Sequence, residues 1–277
     1  GYFSVSLYGE TSTYTTGNQL LNSTVELGYY YGIYANYQDS IILRDNVVQK
    51  LRNSASYGIY MNSVADFQVE RNNVRASTYA FYFSGANDQN SNGRARFVNN
   101  MGYSAGSAGI YLIDPVNIDI FHNSTKGDRG IYFSGTVSGL DVRNNIFYGE
   151  GDYAFQATTS SGFNALDYNL YFSNNTTFAY FLSPFTSLNA WVNTFPAFNQ
   201  NSLFGNPGFK SATDLHGSGS LPNGKADTSV NVTVDIDLDV RNTTNPDIGA
   251  DEFTPPPNDI GVIGFSEPNK YGCGFSD

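Results

Sequence analysis

The chain has 277 residues, a formal net charge of −11 at pH 7, 40% hydrophobic residues, and 21 tyrosines and 21 phenylalanines. This composition is too apolar for a disordered chain, and the acidic excess argues against a nucleic-acid partner. The sequence has no apolar run near the roughly 18 residues of a membrane-spanning helix, so we expect no membrane span. Its single cysteine, Cys273, excludes an internal disulfide framework.

A short strand is the first predicted element. Phe3, Val5 and Leu7 alternate with Tyr2 and two serines, which indicates a strand with one face turned inward. Because the alternation begins at once, we expect the chain to start inside a coil without a cap.

A repeat of about two dozen residues follows, and it carries two markers. The first is the tripeptide Gly32-Ile33-Tyr34. Further copies begin at Gly58, Gly109 and Gly130, and degenerate copies begin at Ala80, Ala154 and Ala179. The second is an asparagine in each unit: Asn46, Asn72, Asn100, Asn123, Asn145 and Asn169. Since the two markers share one period, we interpret this part of the chain as a stack of equivalent units.

Each unit reads as two or three short strands separated by turns. Apolar residues stand three and five positions before most of the asparagines, and odd offsets within a strand lie on one face. Units this small, made only of strands, must stack to bury their inward faces, so the sequence predicts a parallel β-helix. We expect the asparagines to occupy left-handed corners and to hydrogen-bond their equivalents in neighbouring coils.

The two markers resemble the right-handed parallel β-helix repeats of the pectate-lyase-like superfamily, over about residues 20–175. The resemblance implies an all-β fold, a right-handed parallel β-helix (solenoid) of about seven or more coils. Residues 1–253 would form this domain, with an irregular C-terminal cap region from about residue 170 to 253. A β-propeller is the weaker alternative because its units are about 40 residues long.

The C-terminal region carries an acidic phrase, Asp235-Ile236-Asp237-Leu238-Asp239-Val240-Arg241, followed by Asp247-Ile248-Gly249-Ala250-Asp251-Glu252. This order is similar to the end of many bacterial secreted β-helix proteins. Leu238 stands where those proteins have glycine, so we expect the turn after Asp237 to differ.

A proline-rich linker, residues 254–258, is predicted next because consecutive prolines cannot join a sheet. Residues 259–277 resemble the opening of Ig-like modules in large Bacteroidetes surface proteins. The resemblance implies an extracellular, cell-surface location, export by the type IX secretion machinery, and a role in adhesion, surface display or gliding motility.

An outward column of tyrosines is the first candidate site. The isoleucine of each tripeptide and the residue after the tyrosine are apolar and face inward, so the tyrosine faces outward. The predicted column is Tyr34, Tyr60, Tyr82, Tyr111 and Tyr132. Such a column could bind an extracellular glycan or a surface partner, or it could serve only to stabilise the sheet through aromatic pairs.

A catalytic alternative rests on Asp119 and Asp141, which fall on outward positions of adjacent coils, with Arg96 and Arg143 on either side. A coil spacing of about 4.8 Å is near the carboxylate separation of retaining glycosidases, roughly 5 to 5.5 Å. The residues would then serve a polysaccharide lyase or glycoside hydrolase. Solvated ion pairs on the outside of the solenoid are the ordinary alternative.

Calcium is the one cofactor that the sequence suggests. Asp235, Asp237 and Asp239 could supply oxygen ligands, although their spacing is not that of an EF-hand loop. A solvated acidic surface is the alternative. The two histidines, His122 and His216, lack a serine or cysteine partner nearby, and we expect both to be structural.

Overall fold

A computed structural model describes residues 1–87 and 93–256. The predicted linker is described only as far as residue 256. The predicted Ig-like opening and Cys273 lie outside the described residues.

The chain winds into a parallel β-solenoid of about seven turns, in which each coil contributes one strand to each of three sheets. Sheet 1 contains Phe3–Tyr8, Thr15–Thr16, Tyr31–Asp39, Tyr57–Ala65, Tyr79–Ala86, Ala108–Ile113, Arg129–Ser134, Phe155–Ala157, Ala179–Phe181 and Ser183–Phe185. Sheet 2 contains Gln19–Leu21, Ile42–Arg44, Gln68–Glu70, Ala95–Val98, Ile118–Phe121, Leu140–Arg143 and Phe163–Asp167. Sheet 3 contains Thr24–Glu26, Val47–Gln49, Asn73–Ala76, Met101–Ser104, Ser124–Gly127, Ile146–Gly149, Leu170–Ser173 and Leu203–Phe204.

Equivalent residues of successive coils stand directly beside one another. Ile33 pairs with Ile59, and Tyr34 with Tyr60, in the parallel register of sheet 1. The inward residues of all three sheets form one continuous core of aliphatic and phenylalanine side chains. The predicted all-β parallel β-helix is therefore confirmed.

The glycine of the tripeptide is required by close packing between sheets 1 and 3. A Cβ atom at Gly58 would lie 2.2 Å from Val74 Cγ1 and 2.6 Å from the carbonyl oxygen of Ala80. The degenerate unit that has Ala80 in this place carries Gly102, not valine, at the matching position of sheet 3. Room for the extra methyl group is therefore made on the facing strand.

The asparagines form a hydrogen-bonded ladder between sheets 2 and 3. Asn72 Nδ2 donates to Asn100 Oδ1 at 2.9 Å, and the backbone N–H of Asn72 donates to the same oxygen at 3.0 Å. The same pair of bonds recurs from Asn46 to Asn169, where Ser202 Oγ ends the ladder as acceptor for the Asn169 N–H. All six asparagines are buried.

The prediction that these asparagines adopt the left-handed conformation is wrong by one residue. The residues with positive φ are those immediately before them: Asp45, Arg71, Asn99, His122, Asn144 and Tyr168. The chain turns the corner between sheets 2 and 3 at these residues. Each ladder asparagine can therefore direct both its backbone N–H and its side-chain Nδ2 toward the next coil.

The C-terminal cap region has two parts. Helix α1, Leu188–Thr194, begins at Ser187, whose side chain accepts from the Ala190 N–H, and it buries Trp191 over the end of the core. Residues 205–256, which we name the strap, run back along the outside of sheets 2 and 3. A short 3-10 helix, Thr228–Val230, lies within the strap. The outward residues Val98 and Phe121 are consequently buried, because they pack against Val230.

The acidic phrase folds the strap through hydrogen bonds. Asp235 Oδ1 accepts from the backbone N–H groups of Asp237 and Asp239, at 2.8 and 2.9 Å. Leu238 has a φ of 70°, the left-handed region that glycine adopts freely and that costs other residues about 1–2 kcal/mol. No helix in the described ranges is both long and apolar enough to cross a membrane.

Candidate functional site

The predicted tyrosine column lies on the outer face of sheet 1. Its members, which we name column 1, are Tyr34, Tyr60, Tyr82, Tyr111 and Tyr132, paired coil by coil and partly exposed. The rings of Tyr34 and Tyr60 are stacked, with centroids 5.1 Å apart and planes within 6°, and those of Tyr60 and Tyr82 are 5.0 Å apart and within 7°. Contacting carbon atoms prefer roughly 3.5–4 Å, so nearly parallel rings with centroids this far apart must be offset, which leaves part of each ring face uncovered.

A second aromatic column, which the sequence analysis missed, stands beside the first. Column 2 consists of Phe3, Tyr31, Tyr57 and Tyr79. Tyr31 meets Tyr34 and Tyr60 edge to face, at 5.3 and 5.2 Å, and each tyrosine of column 2 likewise contacts two rings of column 1.

The signal for column 2 was available in the sequence, because a tyrosine immediately precedes the glycine or alanine of three successive units. Under strict alternation, Tyr31 would lie on the same side of the strand as the buried Ile33, so the sequence pattern alone predicts that Tyr31 faces inward. The glycine between them breaks that alternation, and both aromatic positions of the unit end on the outside.

The regular surface ends at Ala108, which takes the place of the next aromatic residue of column 2. Without that neighbour, Tyr111 turns 87° from Tyr82 and stacks with Tyr132, with centroids 4.5 Å apart. Arg129 follows in column 2, where its guanidinium lies over Tyr132 and pairs with Asp152 at 2.6 Å.

A polar row borders column 1 on its other side. Asn62 Nδ2 donates to Asn36 Oδ1 at 2.8 Å, and Ser84 continues the row in the next coil. Asn62 and Ser84 are partly exposed, whereas Asn36 is buried. Aromatic rings and hydrogen-bonding groups thus run side by side along the solenoid.

Burial within these columns raises the pKa of several tyrosines. The pKa of Tyr60 rises to about 12, mainly through desolvation and then through its tyrosine neighbours. Desolvation likewise raises the pKa values of Tyr31, Tyr34, Tyr57, Tyr82 and Tyr132. The phenols are therefore neutral at physiological pH and can both donate and accept hydrogen bonds.

These raised pKa values predict alkaline destabilisation. A tyrosine whose folded pKa exceeds its unfolded value of 10.0 stabilises the fold fully below pH 10 and loses that contribution as the pH rises through the folded pKa. We expect the free energy of unfolding, from urea titrations followed by circular dichroism, to fall between about pH 10 and pH 12. Tyr60→Phe should remove part of the late tyrosinate absorbance. A single tyrosinate step near pH 10, with unchanged stability, would contradict the prediction.

Asp119 and Asp141 do stand side by side in the register of sheet 2, but each is held in an ion pair. Arg94 Nε lies 2.7 Å from Asp119, and Arg143 binds Asp141 through two nitrogens at 2.6 and 2.7 Å. Arg143 also contacts Asp227 of the strap at 2.7 Å, and these acidic partners raise its pKa.

Arg96, placed beside this pair by the sequence, directs its Nε to Glu70 at 3.0 Å. Neither carboxylate of the pair is thus left as an unpaired acid or nucleophile. The arrangement is that of an ion-pair row along the outside of a sheet.

The acidic phrase brings together Asp235 and Asp237 with Asp251, whose carboxylate oxygens lie within 4.8 Å of one another. Asp239 is not part of this group. Asp235 Oδ2 also accepts from the Glu252 N–H at 2.9 Å, and Asp251 accepts from the Gly217 N–H at 2.7 Å. Much of the bonding capacity of Asp235 and Asp251 is therefore used by the backbone, and calcium binding here stays a prediction.

His122 lies under the strap, and His216 belongs to it. His122 is buried, its Nε2 accepts from Asn144 Nδ2 at 2.9 Å, and burial lowers its pKa well below the usual value. His216 contacts Asp214 through Nδ1 and Asp237 through Nε2. These contacts give both residues a place in the packing of the strap.

Comparison with known proteins identifies the fold family. The search of curated proteins returned no match, and neither did the search of solved structures. A family model described as the right handed beta helix region matches residues 5–178, a range that covers most of the stacked coils. The chain therefore belongs to the right-handed β-helix family.

Proposed function

We propose that this chain is a non-catalytic binding module whose tyrosine columns adsorb an extracellular glycan. The observation that carries the proposal is the double aromatic column on sheet 1, which is continuous over three coils. Tyrosine suits a sugar because its ring packs against C–H groups while its hydroxyl exchanges hydrogen bonds.

Aromatic pairing also stabilises the sheet, so the hydroxyl groups are the feature that distinguishes binding from support. No hydrogen bond to the hydroxyl of Tyr34, Tyr60 or Tyr82 contributes to their raised pKa values, and the described residues offer them no partner. Because these hydroxyl groups are partly exposed, they are available to exchange hydrogen bonds with a polar ligand.

The setting we propose is the surface of a bacterial cell. Its support is the resemblance of the acidic phrase to the end of bacterial secreted β-helix proteins, and of residues 259–277 to the opening of Ig-like modules in large Bacteroidetes surface proteins. On that resemblance the module would be exported by the type IX machinery and would act in adhesion, surface display or gliding motility. The ion pairs of Asp119 and Asp141 favour this role over that of a polysaccharide lyase or glycoside hydrolase.

Binding to a polysaccharide panel tests the proposal. We expect the purified chain to bind at least one glycan, and a Tyr82→Ala, Tyr111→Ala double variant to bind it at least about tenfold more weakly, since each aromatic contact contributes roughly 0.5–1.5 kcal/mol. Affinity would be measured by isothermal titration calorimetry. Thermal unfolding of both proteins would verify that the variant is folded.

The matched control is Tyr103→Ala, which removes a partly exposed tyrosine from the outside of sheet 3 and should leave affinity unchanged. If the double variant and the parent chain bind the glycan equally well, the tyrosine columns are not the binding site. Release of reducing ends or unsaturated products, abolished by Asp141→Asn, would establish the enzyme instead.

A further inference from the structure

The outer face of sheet 1 is not uniform along the solenoid. Over the coils that begin at Tyr31, Tyr57 and Tyr79, both columns are complete and the polar row continues beside them. From Ala108 onward, column 2 loses its rings, the orientation of column 1 changes, and the ion pair of Arg129 enters the face.

We propose that the ligand is an uncharged, linear polysaccharide that lies lengthwise on these three coils. This inference rests on the proposed function and specifies its ligand and its location. The site is formed by the ring pairs Tyr31–Tyr34, Tyr57–Tyr60 and Tyr79–Tyr82, together with Asn62 and Ser84.

The lengthwise orientation follows from the repeat. Equivalent rings of successive coils have centroids 5.0–5.3 Å apart, a spacing comparable to the length of one sugar residue in an extended chain. A linear polymer of one sugar type can then make the same contact in successive coils. A ligand lying across the sheet would meet two rings, one from each column, before reaching the polar row.

The absence of charge in the ligand follows from the absence of charge in the site. On sheet 1 of these three coils, the two columns and the polar row present tyrosine, asparagine and serine, and the phenols are neutral at physiological pH. Asp39, which ends the first of these strands, is partly exposed and adds a negative charge. The whole chain carries a net charge of −11, which repels a polyanion at long range. Among the described residues, the part of sheet 1 that these three coils form offers an acidic glycan no cation to offset that repulsion.

Two polymers with the same backbone test the charge requirement. Hydroxyethyl cellulose is neutral, and carboxymethyl cellulose is its anionic counterpart. If the panel identifies a different glycan, its neutral and carboxylated forms replace them. We expect the neutral form to bind at least about tenfold more tightly, with less than about a twofold change between about 0.1 M and about 1 M salt.

Two tyrosine variants test the location. Tyr57→Ala should weaken binding about tenfold, because Tyr57 belongs to the complete part of column 2. Tyr132→Ala removes a ring of column 1 outside the three coils and should change affinity less than about threefold. Asn62→Ala should also weaken binding. Its melting temperature should fall no further than that of Tyr57→Ala.

The outcomes separate this inference from the proposed function. Preference for the anionic polymer, or an equal loss in Tyr57→Ala and Tyr132→Ala, would overturn the inference while leaving a glycan-binding module. Absence of binding to every glycan, or capture of a protein partner by the columns in place of a glycan, would overturn both.

Discussion

Asn100→Ala should lower the free energy of unfolding by about 3–5 kcal/mol, the largest effect we expect from a single residue of the solenoid. Asn100 Oδ1 accepts two bonds from Asn72, and its Nδ2 donates to the carbonyl oxygen of Val69 at 2.8 Å. Alanine would leave the buried N–H of Asn72 without its acceptor and would remove a further bond each from Asn72 Nδ2, Asn123 Oδ1 and the carbonyl oxygen of Val69. An unsatisfied buried N–H costs about 1–3 kcal/mol, and each further lost bond contributes about 0.5–1.5 kcal/mol.

Urea unfolding followed by circular dichroism measures this effect, and Asn189→Ala is its control. Asn189 is exposed in helix α1, where alanine is the better helix former, so its stability should stay within about 0.5 kcal/mol of the parent value. A loss below about 1 kcal/mol in Asn100→Ala would show that the ladder contributes little, and that the apolar columns alone hold the coils in register.

The coils could be predicted from the sequence because every constraint on them is local and recurs. One unit fixes which residues face inward, and stacking repeats that choice, so the columns of Ile33 and Tyr34 follow from period and alternation alone. The prediction failed where a residue departs from strict alternation. Tyr31 was overlooked because the break at Gly32 reverses the side on which it lies.

The path of the strap could not be predicted, since its contacts join residues far apart in the sequence. Arg241 Nη2 donates to Asn99 Oδ1 at 2.9 Å, across 142 positions, and Gly249 N–H donates to the carbonyl oxygen of Asn144. The sequence showed an acidic phrase with one arginine, and the structure shows that this arginine joins the phrase to the solenoid. Of the three calcium candidates, Asp235 is the one whose carboxylate accepts backbone hydrogen bonds within the phrase.

Arg241→Met should release the strap from the solenoid without unfolding the coils. The guanidinium is buried, and besides Asn99 it contacts the carbonyl oxygen of Gly249 at 2.8 Å and Glu252 at 3.3 Å. Removing one partner of a fully buried ion pair costs about 3–5 kcal/mol, and because Glu252 is 14% exposed we expect a loss at the lower end of that range. Methionine keeps most of the apolar volume of the side chain, so the loss reports on charge and hydrogen bonds.

Hydrogen exchange resolves where this loss occurs, because local openings expose only the amides of the segment that opens. We expect the amides of Gly249 and Glu252, which are bonded to Asn144 and Asp235, to exchange at least about a hundredfold faster in Arg241→Met. The backbone amides of the asparagine ladder should keep their protection. Arg52→Met, at an exposed position, should alter neither set. Faster exchange throughout the ladder would mean that the strap and the coils form one cooperative unit, and unchanged exchange at Gly249 would mean that apolar contacts such as Phe121 with Val230 suffice to hold the strap in place.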